Sequence, residues 1–138
     1  MIGLDANILA RYYIEDEADT EAQRQRVAAC RMIESRQPLM LCKTVLLEFE
    51  WVMRGYYGFE SAQALSVLRH LLQLPHVTVE DRATVEQALS HAGAGIDFSD
   101  AMHLASYRSC TGMASFDDQK LARRVRRLGL APAVAVPT

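Results

Sequence analysis

The stretch MIGLDANIL, residues 1–9, decides how the rest of the chain is arranged. Ile2 and Leu4 suit a short buried strand that ends at Asp5, and the residues after Asn7 are typical of the start of a helix. A carboxylate at the carboxyl end of a first strand faces the crevice where open α/β sheets bind their ligands. The alternative is that Asp5 only caps the following helix, a common role for aspartate at such turns.

The size and composition of the chain favour one ordinary folded domain. With 138 residues, half of them apolar, residues 1–138 are expected to form a single domain. The net charge of −2 excludes a globally basic protein, so nucleic acid would have to contact a local patch. The three cysteines are widely spaced and form no zinc pattern, which indicates reduced thiols. Neither a signal peptide nor an apolar run of roughly 18 residues is seen, so we expect a soluble, cytoplasmic protein outside the membrane.

Short apolar runs alternate with segments of helical periodicity along the whole chain. After the opening strand, further strands are expected at residues 39–42, 76–79, 112–116 and 133–136. Helices are expected at residues 20–36, 45–54, 59–74, 82–91, 97–109 and 118–128. Because no hairpin signal joins the strands, they should pair in parallel. The predicted fold is therefore α/β, with a three-layer arrangement of about five mostly parallel strands flanked by helices.

Four more acidic residues occupy places equivalent to that of Asp5: Glu48, Asp97, Asp100 and Asp117. Asp117 directly follows a strand, and Glu48 lies near the start of the helix after residues 39–42. Asp97 and Asp100 begin a helix, and helices in parallel α/β units start at the carboxyl edge of the sheet. All five carboxylates can therefore converge on one edge.

Carboxylates that converge without a basic partner repel one another, raise each other's pKa and call for a cation. Oxygen-only ligands favour Mg²⁺ or Mn²⁺, which can activate water for phosphodiester hydrolysis. Ordinary alternatives exist, because Asp97 with Asp100 also suits a helix N-terminus, and Asp117 with Asp118 suits a cap. Glu50 has Arg54 four residues on, an ordinary surface pair, which leaves Glu48 without an evident partner.

Four motifs make the chain resemble the PIN domain family. They are LDAN at residues 4–7, LEFEWV at 47–52, DFSDAMHLA at 97–105 and SFD at 115–117. More narrowly, the sequence is similar to the VapC-type toxins of bacterial toxin–antitoxin pairs. The resemblance covers essentially the whole chain, and the DxxDAxHxA motif is its most specific part. It implies a Mg²⁺- or Mn²⁺-dependent ribonuclease, commonly dimeric and held inactive by a small co-encoded antitoxin.

The resemblance also assigns roles to individual residues. It implies a catalytic quartet of Asp5, Glu48, Asp100 and Asp117, and metal ligands Asp5, Asp100, Asp117 and Asp97. Asn7 and Ser115 match supporting polar positions that orient the carboxylates by hydrogen bonds. Ala6 stands where a hydroxyl residue is frequent, a departure that affects supporting detail and leaves the four acids intact.

Basic residues offer two places for RNA. Arg11 lies just beyond Asn7 and close to the expected metal. The last helix carries five of the fifteen lysines and arginines, and Arg123 and Arg127 are spaced to share one face. Phosphate contact is one role for this face. A solvated helix with cations near its favourable C-terminal end is the other.

The function expected from these features is that of a metal-dependent endoribonuclease, the toxin of a type II toxin–antitoxin pair. Its expected partners are RNA, a small antitoxin and a second copy in a homodimer. A housekeeping RNA-processing nuclease and a catalytically idle PIN-like binding partner are the alternatives. A receiver-like phosphoacceptor is disfavoured, because Asp5 is not part of an acidic pair and the terminal strand lacks a lysine.

Overall fold

The computed structural model describes all 138 residues as two compact units, Met1–Glu80 and Asp81–Thr138. The first unit contains β1 (Ile2–Gly3), α1 (Ala6–Tyr13), α2 (Thr20–Glu34), β2 (Leu39–Leu41), α3 (Lys43–Trp51), a π-helical segment (Val52–Tyr56), α4 (Ser61–Gln73) and β3 (Val77–Val79). The second contains α5 (Arg82–Gly93), α6 (Phe98–Ser106), β4 (Met113–Ala114), a π-helical segment (Asp118–Ala122), α7 (Arg123–Leu128) and β5 (Val134–Ala135).

Every strand pairs in parallel, which confirms the predicted α/β class and the count of five strands. The first unit has the strand order β1-β2-β3, with Leu39 opposite both Ile2 and Val77. In the second unit β4 pairs with β5, and Met113 lies opposite Val134. The pairing thus forms two separate ladders where the sequence predicted one sheet. Each strand is also shorter than its apolar run, because only two or three residues of each run have a partner opposite.

The core of the first unit forms where β2 meets the helices that follow it. Leu39 and Leu41 are fully buried on one face of β2, whereas Met40 on the opposite face is only partly buried, so the prediction of a strand covered on both faces holds for one face. On α3 and the π-helical segment after it, the buried stripe runs through Leu46, Phe49 and Met53. These positions are spaced by three and four residues, so they fix which side of α3 faces the interior.

The orientation of α3 places its two glutamates in different environments. Glu50 falls within the buried stripe and is 6% exposed, whereas Glu48 is exposed to solvent. The expectation of an ordinary surface pair between Glu50 and Arg54 is therefore wrong in one respect. The pair exists, with Arg54 Nη1 at 3.4 Å from Glu50 Oε1, but its carboxylate is buried. A buried carboxylate needs such a partner, because an uncompensated charge in the interior is costly.

Two helices of the second unit, α6 and α7, are bounded by glycines with positive φ. Gly95 has a φ of 119°, a conformation that favours glycine, and it precedes the N-terminus of α6. Phe98, Ala101 and Leu104 bury one side of α6, which packs on α5. Gly129 ends α7 with a φ of 66°, as expected for a C-terminal cap.

Arg54→Met should destabilise the protein, because it removes the guanidinium beside the buried Glu50 carboxylate while keeping the length of the side chain. We expect urea denaturation to show a loss of roughly 2 kcal/mol in the free energy of unfolding. The control is Arg31→Met, an exposed arginine of α2 without an ion pair, which should change this value by less than about 0.5 kcal/mol. Equally small changes in both variants would contradict a stabilising role for the pair.

Candidate metal and nucleic-acid site

The N-terminus of α6 brings Asp97 and Asp100 together. Asp97 is the N-cap, and its Oδ2 accepts a hydrogen bond of 3.5 Å from the backbone N–H of Asp100. Asp100 follows in the first turn and is only partly exposed. Both carboxylates thus lie at the start of one helix, where the helix dipole also favours negative charge.

Among the acidic residues of this region, Asp100 has a pKa that departs from the ordinary value. Partial burial raises the pKa of its carboxyl above the ordinary value, and the charges of Asp97 and Asp117 raise the pKa further. His103, one turn along α6, acts in the opposite direction. Lost hydration and two anionic neighbours therefore outweigh one imidazole, and ionisation of Asp100 is less favourable in the folded protein than in water.

Asp117 is held at the junction of β4 and the π-helical segment. Its Oδ1 accepts a hydrogen bond of 2.9 Å from the N–H of Lys120. Its own N–H donates to Ser115 Oγ at 3.0 Å. Ser115 therefore contacts the backbone N–H of Asp117, and its expected role of orienting a carboxylate by a hydrogen bond stays a prediction.

Asp5 and Glu48 belong to the first unit. Asp5 directly follows β1 and caps α1, with its Oδ1 accepting a 2.8 Å hydrogen bond from the N–H of Ala6. Glu48 lies in the second turn of α3, which follows β2. Because β1 and β2 are parallel neighbours, the segments that carry these two acids leave the same edge of the ladder.

The donor chemistry of the second unit suits a hard divalent cation, although the carboxylates are not gathered around one point. In neither unit do three or more His, Cys, Asp or Glu side chains adopt a metal-binding arrangement. Asp97 and Asp117 are near enough for their charges to raise the pKa of Asp100, but direct binding of Mg²⁺ would need oxygens at about 2.1 Å from the ion. All-oxygen ligands suit Mg²⁺ or Mn²⁺, and Mg²⁺ keeps several waters and does not require a closed protein cage.

Arg11 is held by two neutral side chains. Its Nε donates to Gln25 Oε1 at 2.9 Å, and its Nη1 donates to the hydroxyl of Tyr57 at 3.2 Å. No carboxylate neutralises it, so its charge stays available to a phosphate. Sequence reasoning singled out Arg11 but missed Gln25 and Tyr57, because no local pattern links residues 14 and 46 positions away.

Of the two arginines of the last helix that are expected to contact RNA, one forms an ion pair and the other does not. Arg123 Nε lies 3.0 Å from Asp118 Oδ2, in an exposed ion pair of the kind that contributes little stability. Arg127 is exposed and makes no hydrogen bond or ion pair. Both residues lie in α7, four positions apart, so their side chains share a face of the helix as predicted.

Comparison with known proteins identifies the family. The family model of the PIN domain matches residues 2–134, almost the entire chain. The comparison with curated proteins gives no significant match. No helix of the structure combines the length and apolarity needed to cross a membrane.

Asp100→Asn should stabilise the protein in the absence of divalent cations at about pH 7. Because the pKa of Asp100 is raised on folding, the folded protein binds more protons than the unfolded chain between pH 3.8, the ordinary carboxyl value, and the raised pKa. Above that range the charged carboxylate costs stability, and the substitution removes the cost. The midpoint of thermal unfolding, followed by circular dichroism, should rise by a few degrees.

The gain from Asp100→Asn should disappear as the pH falls below the ordinary carboxyl value, where Asp100 is protonated in both states. Asp16→Asn is the control, because the Asp16 side chain makes no hydrogen bond, and it should leave the midpoint unchanged. A gain of equal size at about pH 3 and about pH 7 would contradict an electrostatic origin.

Proposed function

This chain belongs to the PIN domain family, whose members are generally nucleases, and we propose that it is a metal-dependent endoribonuclease. The single observation that carries the proposal is the match of the PIN domain family model to residues 2–134. The partial burial of Asp100 near the like charges of Asp97 and Asp117 supports it, because these carboxylates repel one another. A divalent cation would relieve this repulsion. PIN-domain nucleases generally use such ions, and the all-carboxylate donors of the second unit suit Mg²⁺ or Mn²⁺.

The proposed metal ligands are those that the resemblance to PIN domains implies: Asp5, Asp97, Asp100 and Asp117. When bound, the ion would polarise a phosphate and lower the pKa of a water molecule. Glu48 is the one member of the quartet outside this ligand set, and its exposed carboxylate would serve as the proton acceptor. Ser115 keeps Asp117 in place through its backbone, and Asn7 extends the polar surface after Asp5.

Contacts to RNA are assigned to three arginines. Arg11 is pre-positioned by neutral partners, so contact with RNA does not require an internal ion pair to break. Arg127 offers a free charge on α7, and Arg123 can exchange its exposed carboxylate partner for phosphate at little cost. The phosphate contacts of Arg123 and Arg127 are independent of base sequence, so they would set affinity and its dependence on salt.

In the cell we propose that the chain is the toxin of a type II toxin–antitoxin pair, acting in the cytoplasm as a homodimer. The order and spacing of the four PIN motifs, similar to those of VapC-type toxins, support this role. The alternatives are a housekeeping RNA-processing nuclease and a catalytically idle binding partner. The intact quartet of Asp5, Glu48, Asp100 and Asp117 argues against an idle protein.

Cleavage of total RNA by the purified protein should require Mg²⁺ or Mn²⁺ and stop when the ion is chelated. Asp5→Asn should lower the cleavage rate by roughly a hundredfold or more, because it removes a negative ligand. Asparagine caps helices as well as aspartate does, so α1 should remain intact. The rate is measured by gel electrophoresis of the cleaved RNA over time.

Asp19→Asn is the matched control for Asp5→Asn. Asp19 caps α2 through bonds to the N–H groups of Glu21 and Ala22, as Asp5 caps α1, but it is not a proposed ligand. Its substitution should leave the rate unchanged. Cleavage that survives both chelation and Asp5→Asn would overturn the proposed function.

The toxin role predicts a growth phenotype. Induced expression of the wild-type chain in bacteria should arrest growth, whereas Asp100→Asn should not, because the arrest depends on cleavage. Co-expression of a small protein encoded beside the gene should restore growth in the wild-type strain. Active enzyme in vitro together with normal growth at high expression would instead favour the housekeeping nuclease.

A further inference from the structure

A cavity of about 270 Å³ lies between α1 and α2 in the first unit. It is lined by Asn7, Ile8 and Arg11 of α1 and by Gln25, Ala28 and Met32 of α2, among others. The residues of α1 that line it are spaced by three and four positions, as are those of α2, so one face of each helix borders the cavity. The lining combines three polar side chains with aliphatic and thioether surface.

Arg11 is a fixed, charged wall of this cavity. Its two hydrogen bonds, to Gln25 and to Tyr57, hold the guanidinium plane in one orientation. An arginine side chain has five N–H donors, and these bonds engage only two nitrogen atoms. Because Gln25 and Tyr57 are neutral, the guanidinium group of Arg11 keeps an uncompensated charge. Its planar shape allows a ligand in the cavity to stack on it.

The side-chain amide of Asn7 lines the cavity and is free to form hydrogen bonds. Its amide makes no hydrogen bond within the protein, so two donors and one acceptor are free. The carbonyl of Gln25 is engaged by Arg11, while its amide nitrogen has only a long contact of 3.4 Å with Glu21. The polar part of the cavity can therefore both donate and accept hydrogen bonds.

We propose that this cavity binds one nucleobase of single-stranded RNA. Its volume is below the roughly 300–1,000 Å³ of sites for drug-sized ligands, so it suits a group the size of a single base. Ala28 and Met32 offer apolar contact to the face of a base and nothing to a phosphate. Unpaired RNA bases are recognised by stacking on guanidinium planes and by hydrogen bonds to their edges, and Arg11 and Asn7 supply these two contacts.

The position of the cavity ties it to the proposed cleavage site. Asp5 caps α1, and Asn7, two residues later on the same helix, lines the cavity. A base held there belongs to a nucleotide next to the phosphate that is cut, so the cavity selects where the RNA is cleaved. This inference rests on the proposed ribonuclease function and adds a determinant of its sequence preference.

The first test measures binding without cleavage. The protein is titrated with the four nucleoside 5′-monophosphates and with ribose 5-phosphate, and the side-chain amide signals of Asn7 and Gln25 are followed by NMR. At least one nucleotide should shift these signals and saturate, whereas ribose 5-phosphate should not. Ala28→Leu, which fills the cavity from an exposed helical position, should weaken this binding roughly tenfold or more, the effect of losing one stacked base.

Val27→Leu is the matched control, because Val27 is 59% exposed on the same helix and does not line the cavity. It should bind nucleotides as the wild-type protein does. The inference is overturned if ribose 5-phosphate causes the same shifts, if no nucleotide shifts them, or if Ala28→Leu binds equally well. An effect of Ala28→Leu on self-association alone would also overturn it, because the cavity would then serve a protein partner.

The second test uses a pool of RNA with randomised sequence. Ala28→Leu should flatten the base preference beside the cleaved bonds, while Val27→Leu should preserve it. An unchanged preference in Ala28→Leu would contradict the inference. If the wild-type protein cleaves no RNA at all, the proposed function fails, and the nucleotide titration still decides whether the cavity binds a base.

Discussion

Repulsion among carboxylates at the start of α6 is the interaction on which the candidate site depends. Asp97 caps the helix, Asp117 is fixed by bonds at the end of β4, and Asp100 loses hydration beside them. For stability alone this arrangement is unfavourable, because the ionised carboxyl of Asp100 is less favourable there than in water. In the proposed function a bound divalent ion would offset this repulsion, so a cost in the free protein would contribute to metal affinity.

The features that were predicted correctly from the sequence are those determined by residues close to one another along the chain. An aspartate before a helical stripe predicts a cap, and Asp97 is one. A glycine after the last apolar residue predicts a left-handed C-cap, and Gly129 adopts it. Parallel pairing followed from alternating strands and helices without hairpin signals. Membership of the PIN domain family followed from motifs whose spacing reflects these same turns.

Sequence reasoning failed where a property depends on distant neighbours. Glu50 looked like a surface residue because Arg54 lies one turn on, but the stripe through Leu46 and Met53 places it inside. The partners of Arg11 come from a separate helix and from Tyr57, just after a π-helical segment, so no spacing rule predicts them. The division of the five strands into two ladders likewise depends on which short apolar runs pair with one another.

The most direct test of the central claim is a crystal structure grown with Mn²⁺, in which anomalous scattering locates the ion. The proposal predicts a strong peak bound by carboxylate oxygens of Asp5, Asp100 and Asp117, with Asp97 and water nearby. An ion bound elsewhere would contradict the metal site. Carboxylates that stay apart with no bound ion, or that are neutralised by guanidinium groups, would contradict the claim that their mutual repulsion is resolved by a cation.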